Sequence, residues 1–197
     1  GAGAVLDLNG YNVDTGSSNY VYLEFKGTSA SRATVKSTGS AGQFLHGINT
    51  LLSDWEYCDV TGLGDSVFGR THTATNVSQS YLHCSFTDCG SINLEATGIG
   101  TNSGFIMRYC DFRNPSNSDP VTNNKYYPNI YQLGTKGTKD RIIEYCTWNS
   151  SVQNLMKVDG IDFEVKYNIF KDVKINNINA VRQVSFTGNF FDGEVSG

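Results

Sequence analysis

The sequence has few charges, few prolines and no long hydrophobic run. Only 17% of its 197 residues are charged and the net charge is −4, which argues against the basic surface that nucleic acids or anionic lipids require. No stretch approaches the ~20 apolar residues of a membrane-spanning helix. The first ten residues also lack the basic and apolar regions of a signal peptide. We therefore expect no nucleic-acid partner and no membrane insertion.

The composition that remains is that of an ordered β protein. The chain contains 21 glycines against three prolines, and 39% of its residues are hydrophobic, which indicates many short turns around a buried core. Its length suits a single domain, residues 1–197. The sequence starts in a segment typical of a strand and ends at Gly197 without a closing element, and solenoids need capped ends. We expect a fragment of a longer chain, with a short protein capped by its own loops as the alternative.

One six-residue template recurs six times. Its copies are Trp55–Val60, Tyr81–Phe86, Met107–Phe112, Ile143–Trp148, Val165–Phe170 and Phe186–Phe191. The fourth residue of each copy, here called the anchor, is in turn Cys58, Cys84, Cys110, Cys146, Asn168 and Asn189. Successive anchors are 26, 26, 36, 22 and 21 residues apart. A repeat of this length predicts a solenoid.

The template also predicts where the chain bends. Large apolar residues stand three places before and two places after each anchor, and the residue two places before it is usually polar. Period-two alternation then puts both the anchor and the residue before it inside, which requires a bend between them. Such a bend is typical of a parallel β-helix, in which an inward Asn can satisfy the backbone groups of the turn. We expect the six anchors to stack as a ladder at the ~4.8 Å strand spacing.

Three segments carry a family resemblance. The opening Leu6-Asp-Leu-Asn-Gly-Tyr11, the stretch Glu24–Ser37 and the close Gly188-Asn-Phe-Phe191 resemble pectin-lyase-like right-handed parallel β-helix proteins. This resemblance implies an all-β solenoid fold. It implies no single activity, because the superfamily includes polysaccharide lyases, hydrolases, phage tailspikes, adhesins and surface proteins without known chemistry.

The leucine-rich repeat is the competing solenoid. That repeat requires Leu five and eight places before the anchor, where this chain has residues such as Ser53 and Thr50. The uneven anchor spacing also favours the β-helix.

The cysteines and histidines have structural interpretations. We expect the four anchor thiols to be reduced and buried, and Cys89 to be a small residue in a turn. Disulfides between neighbouring coils are the alternative. His83 occupies a column that otherwise holds tyrosine, which indicates a stacking ring. No Cys-x-x-Cys pair exists, and His46 and His72 have no nucleophile motif beside them, so we predict no metal site and no catalytic residue.

Carboxylates would carry the chemistry of an enzyme. Lyases of the resembled superfamily use Ca²⁺ held by clustered carboxylates with an Arg or Lys base, and its hydrolases pair two carboxylates. Here Glu56, Glu144 and Glu164 fall on outward positions near Arg108 and Lys166, which indicates a solvated face of mixed charge. We expect no cofactor, and Ca²⁺ only if the chain is a lyase.

The 36-residue interval is the predicted ligand site. Its excess length predicts a loop excursion at about 113–141, and loops on rigid scaffolds carry function. Asp119, Tyr126, Tyr127 and Tyr131 combine aromatic faces with polar groups, the combination that a sugar needs. The alternative is a self-packed loop that covers a sheet face.

These observations favour a non-catalytic structural or adhesive segment of an extracellular, cell-surface or virion-surface protein. Its expected partners are carbohydrate or neighbouring copies in a surface assembly. A polysaccharide lyase or glycoside hydrolase is the alternative, and a phage tailspike or appendage segment is the third hypothesis.

Overall fold

A computed structural model describes most of the chain. The described residues are 2–14, 21–39, 42–45, 50–64, 66–71, 78–90, 92–96, 104–113, 125–133, 140–160, 162–174 and 184–192. Within them the chain forms twenty β-strands and no helix. Every strand pair is parallel, and the strands assemble into two sheets.

The smaller sheet contains every third strand of the first part of the chain and alternate strands after that. Its seven members are β3 (Val21–Lys26), β6 (Thr50–Glu56), β9 (Ser78–Leu82), β12 (Gly104–Arg108), β15 (Arg141–Glu144), β17 (Phe163–Lys166) and β19 (Val184–Thr187). They stack in sequence order, so each strand lies between its counterparts in the coils before and after it.

The thirteen-stranded sheet has two arms. The first arm follows the seven-stranded sheet in each coil and contains β1 (Val5–Asp7), β4 (Ala33–Lys36), β7 (Cys58–Thr61), β10 (Ser85–Thr87), β13 (Asp111–Arg113) and β20 (Phe190–Asp192). The second arm contains β2 (Val13–Asp14), β5 (Phe44–Leu45), β8 (Ser66–Thr71), β11 (Ile92–Ala96) and β14 (Lys125–Leu133). The long strands β16 (Thr147–Gly160) and β18 (Ile169–Lys174) run through both arms.

Each coil therefore contains three strand segments, one from each arm and one from the smaller sheet. This regular succession of parallel strands confirms the predicted parallel β-helix. It also disagrees with the leucine-rich alternative, which has one strand in each repeat. The right-handed sense of the coil stays a prediction, supported by the strong preference of parallel crossovers for that hand.

The core lies between the sheets and repeats from coil to coil. Side chains three places before the anchors, such as Trp55, Tyr81 and Met107, are fully buried. Two places after the anchors, five aromatic rings stack along the axis with centroids 4.7 to 5.1 Å apart: Phe86, Phe112, Trp148, Phe170 and Phe191. Parallel strand pairing puts equivalent side chains directly above one another, so one apolar residue in the template becomes a continuous buried stack.

The predicted loop excursion at 113–141 needs correction. Its middle part, Lys125–Leu133, is strand β14, which pairs with both β11 and β16 inside the second arm. The interval is long partly because it supplies a nine-residue strand, not because all of it leaves the solenoid. Residues 114–124 and 134–139 lie outside the described residues.

Candidate functional site

The candidate site is built at one repeated turn, here called the anchor corner, between the smaller sheet and the first arm. The residue just before each anchor has a positive φ, from 49° at Tyr57 to 64° at Gly188. This left-handed conformation reverses the side-chain alternation between two strands. It supplies the bend that the sequence pattern required.

Asn anchors satisfy the corner with their side-chain amides. Asn168 Oδ1 accepts a hydrogen bond from the Cys146 N–H at 2.9 Å, and Asn168 Nδ2 donates to the Ile143 carbonyl at 2.9 Å. Asn189 repeats both contacts one coil further on, with the Asn168 N–H at 2.9 Å and the Val165 carbonyl at 2.8 Å. Two buried backbone groups in each corner are thereby paired.

Cys anchors occupy the same place with weaker contacts. The thiols of Cys84, Cys110 and Cys146 lie 3.3 to 3.7 Å from carbonyl oxygens of the preceding coil. The Cys110 N–H also donates to Cys146 Sγ at 3.4 Å. A thiol is a weak donor and a weak acceptor, so these four coils depend more on apolar packing. The structure thus brings all six predicted anchors together at one corner.

The thiols are buried, and burial changes their chemistry. All five cysteines are buried thiols outside any disulfide, so the structure shows none of the disulfides of the alternative prediction. Burial raises the pKa of Cys84 and Cys110 well above the usual thiol range and raises the pKa of Cys89 to about 12. For Cys58, the neighbouring Cys84 thiol is the larger cause of a raised pKa, followed by burial. A thiol must ionise to react, so these side chains are inert near neutral pH.

The residues before the anchors form a second ladder on the outside. This aromatic ladder consists of Tyr57, His83, Tyr109, Tyr145 and Tyr167, whose rings stack with centroids 4.6, 4.8, 5.3 and 5.5 Å apart. The stacking role predicted for His83 is therefore what the structure shows. The inward position that alternation gave to this column is wrong, because the left-handed residue turns its ring outward. Tyr109, Tyr145 and Tyr167 are 51%, 47% and 48% exposed.

Backbone strain offsets part of the stability that stacking gives to the aromatic ladder. A non-glycine residue in the left-handed region costs about 1–2 kcal/mol, whereas an aromatic pair contributes about 0.5–1.5 kcal/mol. These two effects are of similar size, and the half-buried rings add the burial of apolar surface. The last anchor corner has no such backbone strain, because Gly188 adopts the same conformation at φ 64° and carries no side chain. The rings of Tyr109, Tyr145 and Tyr167 keep about half of their surface exposed, which makes the ladder a candidate interaction surface.

Charged side chains next to the aromatic ladder are paired with one another. Glu144 accepts a hydrogen bond from Arg108 Nε at 2.5 Å and lies 3.5 Å from Lys166 Nζ, which also lies 3.2 Å from Glu164. The predicted charged stripe therefore exists across neighbouring coils. The prediction that it is uniformly solvated is wrong for Glu144, which is only 7% exposed because Arg108 and Lys166 flank it. Hydrogen bonding to Glu164 is the largest cause of the raised pKa of Lys166.

The predicted ligand residues are only partly placed. Tyr126, Tyr127 and Tyr131 belong to strand β14, with Tyr126 paired to Leu155 and Tyr131 paired to Glu95 in the neighbouring strands. They are therefore strand residues of the coil and not residues of an external loop. Asp119 lies outside the described residues, as do His46 and His72.

Sequence reasoning missed the aromatic ladder as a surface feature. A ring before five anchors and Gly188 before the sixth could have revealed it, because Gly in a column that is otherwise aromatic points to a left-handed backbone. Within the described part of the chain, no three His, Cys, Asp or Glu side chains are grouped so that they could hold a metal ion. The described residues also include no helix long and apolar enough to cross a membrane.

Comparisons of the chain with protein-family models, with curated proteins and with solved structures found no match. The resemblance to pectin-lyase-like proteins therefore stays a prediction from the sequence.

Proposed function

We propose that the chain is a non-catalytic structural or adhesive β-helix segment of an extracellular, cell-surface or virion-surface protein. The observation that carries this proposal is the pairing of its charged groups. Glu144, the most central carboxylate of the charged stripe, is held between Arg108 and Lys166 and is nearly buried. A carboxylate held in this way stabilises neighbouring coils and is poorly placed to accept a proton from a substrate.

The regularity of the coil supports the same proposal. Stacked anchors, stacked core rings and cross-coil ion pairs all act between neighbours along one axis, as expected for a rigid rod that presents a surface. The buried thiols add no reactive nucleophile. We propose carbohydrate or neighbouring copies of a surface assembly as partners, with Tyr126, Tyr127, Tyr131 and Asp119 as the predicted carbohydrate contacts.

A panel of polysaccharides, neutral and uronate, tests the proposal with and without Ca²⁺. We expect binding without cleavage, so neither new reducing ends nor the ultraviolet absorbance of unsaturated ends should appear. Formation of unsaturated ends would overturn the proposal in favour of the lyase alternative, and substitution of Arg108 and Lys166 would then test for its base. New reducing ends without unsaturation would identify the hydrolase.

Variants of the predicted contacts test the carbohydrate partner separately. Tyr126→Ala with Tyr131→Ala is expected to abolish glycan-array binding, while Tyr11→Ala with Tyr22→Ala, at residues 75% and 64% exposed, should not. Because β14 is a strand of the coil, circular dichroism must show that both proteins remain folded. A folded Tyr126 and Tyr131 variant that still binds glycans would exclude this site. Light scattering would identify the trimer expected of a tailspike segment.

A further inference from the structure

The C-terminal part of the aromatic ladder, Tyr109, Tyr145 and Tyr167, lies next to other exposed apolar side chains. Ile169 is 39% and Phe190 is 60% exposed, and the two are register partners on the outer face of the first arm. Tyr167 lies against Gly188, and Ile169 and Phe190 each follow two residues after these corner residues, so the rings and the two apolar side chains occupy neighbouring outward positions. We call Tyr109, Tyr145, Tyr167, Ile169 and Phe190 the exposed strip. A contiguous exposed apolar patch marks an interaction site more often than scattered residues do.

The orientation of the rings determines what the exposed strip can recognise. Tyr109, Tyr145 and Tyr167 are nearly parallel, with interplanar angles of 6° and 16°, and they use their faces on one another. Solvent therefore meets their edges. The C–H edges of the rings carry the positive part of the aromatic quadrupole and attract the negative face of another π-system in the edge-to-face geometry, and the tyrosine hydroxyls add hydrogen-bonding groups at the same surface.

Ring edges also disfavour two other occupants of the strip, a second copy of this chain and a ligand that stacks on ring faces. A second copy of the strip would bring positive edges against positive edges. A ligand that stacks its C–H groups on aromatic faces would find those faces already occupied. What complements a row of ring edges is the flat face of a conjugated molecule that lies along the row.

The surroundings define the charge and the length of such a molecule. Arg108, Lys166, Glu144 and Glu164 form ion pairs on one flank, with two positive and two negative charges, and Asp111 pairs with Arg113 on the other. The strip is thus close to neutral, which favours an uncharged or weakly charged ligand. It extends over four coils, and three intervals of ~4.8 Å give a length of about 14 Å. The buried anchors directly behind the rings fix them in place, so binding would require little reorganisation.

We propose that the exposed strip is a binding site for an extended, planar, conjugated aromatic molecule aligned with the solenoid axis. This site is separate from the predicted carbohydrate contacts on β14, and it does not depend on the proposed function. Its ligand is recognised by edge-to-face contact with three tyrosine rings and by apolar contact with Ile169 and Phe190.

Thioflavin T is a suitable probe, because its linked planar rings fluoresce strongly when a site holds them coplanar. Titration of the purified chain is expected to give saturable binding with one dye per chain, and an uncharged benzothiazole analogue should compete. Tyr145→Asn removes the central ring with a residue that tolerates the left-handed backbone, and it should weaken binding about tenfold. Tyr22→Asn, at an exposed tyrosine outside the strip, should leave the affinity unchanged.

A second variant covers the case in which Tyr145→Asn does not fold. Ile169→Thr with Phe190→Ser alters outward side chains only and is expected to weaken dye binding while the melting temperature stays close to that of the parent. Absence of saturable binding, or an unchanged affinity in this folded variant, would overturn the proposal. A dimer that does not bind the dye and dissociates in the Ile169 and Phe190 variant would show that the strip is a self-contact, which also overturns it.

Discussion

The anchor column uses two chemistries to make the same turn, and the two halves of the molecule differ accordingly. Asn168 and Asn189 pair backbone N–H and C=O groups at 2.8 to 2.9 Å, whereas the anchor thiols contact carbonyl oxygens of the preceding coil at 3.1 to 3.7 Å. The cysteine coils enclose the largest fully buried rings, among them Trp55, Trp148 and Phe112. In the last coil, Phe186 and Phe191 are only partly buried.

This difference shows that hydrogen bonding and apolar packing substitute for each other at one position. A buried thiol fills the corner and leaves the backbone groups weakly satisfied, which the fold tolerates where large rings surround it. An amide satisfies the backbone both in the coil of Asn168, where Val165 and Phe170 are buried, and in the last coil, where the core is less complete. The comparison predicts that the two halves respond differently to pH and to exchange of their anchors.

Alkaline pH should produce the largest effect, and it should act on the cysteine half. Because the folded pKa values of Cys84, Cys89 and Cys110 are raised above the ordinary value of 9.0, the folded chain retains protons that the unfolded chain releases. Stability is then fully present below about pH 9 and falls as the pH rises toward the folded values. Each thiol contributes a loss of about 1.4 kcal/mol per pH unit, or about 4 kcal/mol for three.

Urea denaturation at pH 7.5 and pH 10 measures this loss. Cys84→Ala should reduce the difference between the two pH values by about 1.4 kcal/mol, whatever its effect at neutral pH. Asn168→Ala is the control, because it removes no thiol and should retain the full difference. Equal pH dependence of Cys84→Ala and the parent would contradict the assignment of the effect to thiols.

Removal of an amide anchor should have the next largest effect. Asn168→Ala leaves the Cys146 N–H and the Ile143 carbonyl without their buried partner, and each unsatisfied group costs about 1–3 kcal/mol. We expect a loss of about 3 kcal/mol in the free energy of unfolding, measured by urea denaturation at pH 7.5. Cys110→Ala is the matched comparison in the other half and should cost less, because its hydrogen bonds are weaker. A larger loss for Cys110→Ala would reverse the proposed division between the halves.

Exchange of the two anchor types sharpens the comparison. Asn168→Cys retains a small side chain but replaces strong hydrogen bonds with weak ones, and should cost about 1–2 kcal/mol. Cys110→Asn should change stability by less, since an amide there can donate to the Tyr81 carbonyl that the thiol already contacts. Both changes are measured as midpoint shifts in urea. A strongly destabilised Cys110→Asn would show that packing, and not hydrogen bonding, controls the cysteine half.

The repeat was predictable from the sequence because each core column recurs in every copy of the template. Trp55 and its counterparts three places before the anchors are buried as expected, and the anchors share one corner. The burial of Arg141 and the strand β14 were not predictable in this way, because they depend on contacts between coils that no single repeat contains. Arg141 stands in an inward column opposite Phe105 and is 1% exposed, although arginine usually lies at the surface. Strand β14 was mistaken for loop because its sequence, with Pro128 at its centre, lacks the anchor template.

The aromatic ladder was missed for a different reason. Alternation of side chains assumes extended backbone, and the rule fails at a left-handed residue such as Tyr109. The ring itself gives no indication of that conformation, since tyrosine rarely adopts it. Only the comparison with Gly188 in the same column carries the information.

Loss of one outer ring should have the smallest effect on stability, which separates the aromatic ladder from the anchors behind it. Tyr145→Gly removes stacking on Tyr109 and Tyr167 but relieves the left-handed strain at the same residue, so the two changes oppose each other. We expect a net loss of about 1 kcal/mol in the free energy of unfolding, because the two stacked pairs and the buried part of the ring outweigh the strain that is relieved. Tyr145→Ala is the matched control: it loses the same stacking but keeps most of the strain, because alanine also has a Cβ. It should therefore be less stable than Tyr145→Gly by about 1 kcal/mol in urea denaturation at pH 7.5.

Equal stability of the two variants would mean that the backbone relaxes when the ring is gone. A loss for Tyr145→Gly as large as that for Asn168→Ala would show that the outer rings hold the coils together as firmly as the anchors do.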